Sequence, residues 1–107
     1  MTIQILNESN FDTETSTGTT LVDFYADWCG PCRILGPILE SVATELKGEA
    51  TVVKVNVDQS PSLAARFGVK GIPTVIILKN GSVTNRQTGI GNKQQLLELV
   101  NNDKEIL

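Results

Sequence analysis

Leu21-Val22-Asp23-Phe24-Tyr25-Ala26-Asp27-Trp28-Cys29-Gly30-Pro31-Cys32 decides the fold, because here a strand-like run gives way to a helix start that holds both cysteines of the chain. Leu21 to Ala26 is almost continuously apolar, as expected of a central strand covered on both faces by helices. Asp23 is the exception, a carboxylate in the middle of that buried strand.

If Cys29 caps the helix, then Gly30, Pro31 and Cys32 are its first residues, and their backbone N–H groups have no partner inside the helix. Proline has no N–H to satisfy and is tolerated there. A capping side chain receives the N–H of the second or third helical residue, so the donor to the Cys29 sulfur is Cys32. A helix N-terminus contributes roughly 0.3–1 kcal/mol toward a nearby negative charge, and up to about 2 when partly buried. That lowers a thiol by about one unit from its free value near 8.5. Residues i and i+3 of a helix lie about 5 Å apart at Cα, inside the roughly 4.4–6.8 Å window of a disulfide. The same pair can therefore close into a ring and reopen.

Downstream, Ile34, Leu35, Ile38, Leu39, Val42, Ala43 and Leu46 form one apolar face of a long helix ending at Lys47-Gly48, with Pro37 expected to kink it. Upstream, Ile3 to Leu6 reads as a first strand and Ser9-Asn10-Phe11-Asp12 as a capping box opening a short helix. Thr13 to Thr20 reads as helix end and loop. Thr51 to Val57 is a β-branched strand, and Ser60-Pro61 opens a short helix running to about Phe67 and stopped by Gly68. Thr74 to Leu78 and Val83 to Thr88 flank Asn80-Gly81, a strong hairpin signal. The last helix is capped by Asn92 with Gln95 in the reciprocal position, turning Leu96, Leu97, Leu99 and Val100 inward. The order β, α, β, α, β, α, β, β, α predicts an α/β fold: a three-layer α/β/α sandwich on a central mixed sheet of four to five strands, parallel in its first half and closed by an antiparallel hairpin.

With 107 residues, 40% of them hydrophobic and 20% charged, a single domain spanning 1–107 is expected, with a core that needs no disulfide staples. Nine basic and twelve acidic residues give a net charge of −3, and no basic cluster is present to track phosphates, so neither nucleic acid nor membrane is expected as a partner. The N-terminal residues lack the basic start and apolar stretch of a signal peptide. A cytoplasmic location is expected, or an organelle stroma where a transit peptide has been removed. There is no histidine, which removes histidine-based catalysis and histidine metal ligation.

Trp28-Cys29-Gly30-Pro31-Cys32 after a Val-Asp-Phe strand, a helical proline five residues past the second cysteine, and Gly71-Ile72-Pro73-Thr74 before an Asn-Gly hairpin together resemble the thioredoxin family from about Phe11 to Val100. The resemblance implies a thiol–disulfide oxidoreductase, a dithiol carrier that reduces disulfides in target proteins such as reductases and peroxidases. It implies re-reduction by a thioredoxin reductase, a monomer, and no bound cofactor or metal. By residue, Cys29 matches the attacking cysteine, Cys32 the resolving one, Asp23 the buried carboxylate and Lys54 its partner. Gly30 and Pro31 tune the pair, and Pro73 matches a cis-proline, against a base rate of about 5% for such bonds. The substrate groove falls on Trp28, Gly30, Pro31, Gly71, Ile72, Pro73, Gly89 and Ile90. Tyr25 departs from the tryptophan often found in the family, and Thr88 from an apolar residue.

On this reading the Cys29 thiolate attacks a disulfide and Cys32 then resolves the mixed disulfide. The Cys32 sulfur is expected to be the more buried. Asp23, its charge disfavoured by apolar surroundings, is the candidate proton acceptor for Cys32. The rival readings are a structural staple or a zinc half-site for the cysteines, a carboxylate satisfied by backbone or by Lys54 for Asp23, and core packing for Trp28 and Ile72. Haem attachment requires a histidine after the second cysteine, where Arg33 stands. Two functional rivals also stand: an oxidant or isomerase, and a non-catalytic binding subunit.

Overall fold

The structure, a computed structural model, describes residues 3–101. Its elements are β1 (Gln4–Leu6), α1 (Phe11–Thr15), β2 (Thr19–Tyr25), α2 (Gly30–Glu45), β3 (Thr51–Asn56), α3 (Pro61–Arg66), β4 (Thr74–Lys79), β5 (Ser82–Thr88) and α4 (Lys93–Asn101), in the order expected. The strands form one five-stranded sheet in the order β1-β3-β2-β4-β5. β1 and β2 each pair parallel with β3, whereas β2–β4 and β4–β5 are antiparallel.

Alternation along the strands sends successive side chains to opposite faces. On one face Leu21, Val52, Val75 and Ile77 pack with Leu35, Leu39 and Val42 of α2 and Leu96 and Val100 of α4. On the other, Val22, Phe24, Val53, Val55, Ile76 and Leu78 pack with Phe11 of α1 and Leu63 of α3. These are the two cores of an α/β/α sandwich.

Several helix ends follow their sequence signals. In α4 the Gln95 N–H donates to Asn92 Oδ1 (2.8 Å) and the Asn92 N–H to Gln95 Oε1 (2.9 Å), a reciprocal capping box. After α3, Gly68 adopts φ +64, and the Val69 and Gly68 N–H groups donate to the Ala64 and Ala65 carbonyls, the double closure of a Schellman motif. Asn80 and Gly81 both take positive φ, at 51° and 85°, as a two-residue type I′ hairpin turn requires.

Four local expectations are corrected. Asn10, not Ser9, is the N-cap of α1, and its side chain bonds back to the Asn7 N–H at 2.8 Å instead of closing a box. Thr19 and Thr20 belong to β2 and not to a loop, because they pair with Lys79 and Leu78 of β4. Ile34 is exposed, since it lies on the flank of the stripe, about 100° from Leu35. Helix α2 ends at Glu45 with Leu46 as its cap, and Gly48 takes positive φ in the turn beyond.

Candidate active site

The C-terminal end of β2 runs directly into the N-terminus of α2. Cys29 is the N-cap, with extended backbone (φ −87, ψ 112), and its sulfur accepts the Cys32 N–H at 3.2 Å. Proline occupies the first turn without leaving an unmet donor. Cys29 and Cys32 are joined as a disulfide with Cα atoms 5.3 Å apart. They form a small cluster with Tyr25 and Ala26, against which Val57 and Ile72 pack.

The two cysteine residues are equally covered, 4% exposed each, so the expected deeper burial of Cys32 is not found at the level of the whole residue. What distinguishes them is their surroundings. The Cys29 sulfur lies 3.9 Å from the Ile72 carbonyl oxygen, next to the loop between α3 and β4. Cys32 lines a cleft of about 180 Å³ together with Tyr25, Asp27, Arg33, Gly36 and Lys54.

Asp23 is 1% exposed, and neither of its carboxylate oxygens has a hydrogen-bond partner. Backbone groups do not satisfy it. Lys54 is its register partner on β3 without bonding to it. Burial pushes the Asp23 carboxyl up from 3.8 to about 7, a rise opposed by the positive charge of Lys54. This is the behaviour of an unsolvated carboxylate whose only compensation acts through space.

The Ile72–Pro73 bond is cis, in agreement with the resemblance and against the base rate. The Gly89 N–H donates to the Pro73 carbonyl at 2.8 Å, which ties the start of the β5–α4 loop, and hence Ile90 next to it, to the proline loop. Thr74 Oγ1 donates to the Gly71 carbonyl and lies 3.4 Å from Thr88 Oγ1. Trp28 is 68% exposed, which removes core packing as its role, and Gly30, Pro31, Gly71 and Ile90 are exposed as well. Ile72 is half-buried and Pro73 buried.

Three contributors were not singled out from the sequence. Asp58 accepts the Trp28 indole N–H at 2.8 Å and so fixes the most exposed apolar side chain at the site. Asn56 Oδ1 accepts the N–H groups of Asp58 and Gln59, an Asx turn that a strand-final asparagine signals. The Arg33 Nε and Nη2 both donate to the Asp27 carbonyl, linking α2 to the turn before it.

A two-cysteine disulfide at a helix N-terminus, against a cis-proline loop and following a strand that carries an unpaired buried carboxylate, is the constellation of a thiol–disulfide oxidoreductase. Comparison with known proteins gives the same class. The family model Thioredoxin matches residues 2–102. The chain is 42% identical over 100 residues to a thioredoxin of Staphylococcus saprophyticus, covering 94% of this chain and 96% of that protein. It is 43% identical over 98 residues to a thioredoxin of Chlamydia muridarum, covering 92% and 95% respectively. The chain belongs to the thioredoxin family. Membership implies partners of two general kinds, proteins carrying disulfides and a reductase. Among the described residues, no helix is long and apolar enough to cross a membrane.

Proposed function

We propose that this protein is a single-domain, monomeric, cytoplasmic disulfide reductant in which Cys29 attacks and Cys32 resolves. The observation that carries the assignment is the Cys32 N–H donated to the Cys29 sulfur at the helix N-cap, which favours the thiolate at Cys29. The Cys29 thiolate attacks a target disulfide, forming the mixed S–S bond and releasing one target sulfur, which takes up a proton. Cys32 then gives its proton to Asp23 and attacks Cys29. The Cys29–Cys32 disulfide forms, and the second target sulfur leaves and takes up a proton, so that the two protons gained by the target equal those lost by Cys29 and Cys32. Two electrons and two protons pass to the target, and a thioredoxin reductase restores the dithiol.

Asp23 suits the role of acceptor because its carboxyl titrates at about 7, near the working range of a general base. Lys54 is the charge that keeps it from rising further. Gly30 and Pro31 tune the pair by shaping the turn between the cysteines. Trp28, Gly71, Ile72, Pro73, Gly89 and Ile90 form the docking groove, where an extended target segment pairs with the backbone at Ile72. Targets of the reductase and peroxidase kind fit this chemistry.

The test is a trap. Cys32→Ser should hold a target as a stable mixed disulfide on Cys29, and Cys29→Ser should hold none. Equal trapping by both variants would reverse or remove the assignment. Targets retained through non-covalent contacts by the double Cys→Ser variant would favour a binding subunit.

A further inference from the structure

Lys54 does not pair with the carboxylate beside it. Its Nζ lies over the ring of Tyr25, 4.1 Å from the centroid. Asp23 and Tyr25, two residues apart on β2, point to the same face of the sheet. Lys54, in register with Asp23, points to that face too. Tyr25 is itself held: it is 8% exposed, it clusters with Ala26, Cys29 and Cys32, and its register partner on β3 is Asn56. The ring is therefore a buried shelf, and the ammonium rests on it.

We propose that Tyr25 is a positioning residue for the proton-transfer step: its ring holds the Lys54 ammonium in the cleft, where the charge acts on Asp23 through space without forming an ion pair with it. The inference rests on the reading of Asp23 as proton acceptor and names the residue that sets the field around it. An ammonium on the face of a partly desolvated aromatic ring is attracted by the ring's quadrupole. A lysine without that contact is a strongly hydrated charge on a flexible stem and extends toward water. The other charged or titratable groups lining the cleft are Asp27, Arg33 and Cys32. The Arg33 guanidinium is engaged with the Asp27 carbonyl. On its other side in the sheet, Asp23 faces Val75 of β4, which is apolar. Lys54 is therefore the positive charge free to respond to the ring.

The experiment follows the Asp23 carboxyl carbon by NMR across pH in the full chain, together with the pH dependence of mixed-disulfide resolution. It uses the native protein, Tyr25→Phe, Tyr25→Leu, Lys54→Met and the Tyr25→Leu/Lys54→Met double variant. Tyr25→Phe keeps the ring and should titrate like the native protein. Tyr25→Leu should move the Asp23 midpoint upward by about half a pH unit and slow resolution about threefold below it. The same change in the Lys54→Met background should add nothing.

A midpoint that stays in place in Tyr25→Leu, moves downward, or shifts as far without Lys54 would overturn the inference. If Tyr25→Leu does not fold, Tyr25→Met, which also lacks a ring, carries the same expectations. If the midpoint moves while the pH dependence of resolution does not, Tyr25 does position Lys54, and it is the role of Asp23 as acceptor that fails.

Discussion

Replacing Asp23 by Asn should change how the stability of the protein depends on pH, and by an amount that the structure sets. In the unfolded chain the carboxyl titrates near 3.8, and in the fold near 7. Below pH 3.8 it is neutral in both states and imposes no penalty. Between the two values the unfolded chain loses the proton and the fold keeps it, so native stability falls as pH rises. Above about 7 the loss is complete. The interval from 3.8 to about 7, at about 1.36 kcal/mol per pH unit, gives a loss of about 4 kcal/mol. No discount for solvent applies to a side chain 1% exposed.

Asparagine cannot ionise, so Asp23→Asn removes this slope, while its own unpaired amide adds a constant offset. Urea unfolding of the oxidised protein from pH 3.5 to 9 checks it. The difference between variant and native protein should grow in favour of the variant through the acidic range and level off above about pH 8. For a domain of this size, about 4 kcal/mol corresponds to some 15 °C or more in melting temperature. A difference independent of pH would refute the claim that burial raises the Asp23 carboxyl.

Two further outcomes follow from the same structure. Asn92→Ala breaks the reciprocal box of α4 and should cost about 1 kcal/mol of stability by denaturant unfolding, with the disulfide chemistry unchanged. Equilibration of the Cys29–Cys32 pair in thiol–disulfide buffers should give a potential of about −270 mV, the reference value for thioredoxin, whereas a value of about −120 mV would mark an oxidant.

Features whose partners are close in the chain were legible in the sequence. The Asn92–Gln95 box, the Asn80-Gly81 turn, the glycine after α3 and the Cys29 cap each depend on residues within five positions of one another. The misread box at Ser9 shows where local reading fails, because Asn7 and Asn10 bond to each other's neighbourhood and take the cap side chain away. Thr19 and Thr20 look like loop residues and become strand through pairing with β4. The position of β3 between β1 and β2 has no local signature. Nor has the placement of Lys54 over Tyr25, which depends on the register Asp23↔Lys54 and Tyr25↔Asn56. The sequence names the residue types of the candidate site, and the register determines which of them lie side by side on the sheet.

β2 has hydrogen-bonded neighbours on both sides and leads straight to Cys29. Its side chains alternate between the two cores, so its coordinate is discrete: a shift by one residue would carry Asp23 into the layer of α1 and α3 and put Phe24 beneath the disulfide. The separation between carboxylate and sulfur therefore cannot drift by small increments as the surrounding sequence changes. Only even steps keep the acid on the side of Cys32, and each such step moves it by nearly 7 Å along the strand, beyond the reach of a proton. The stretch from Asp23 in β2 to Cys29 at the cap of α2 is thus a ruler graduated in steps of two residues.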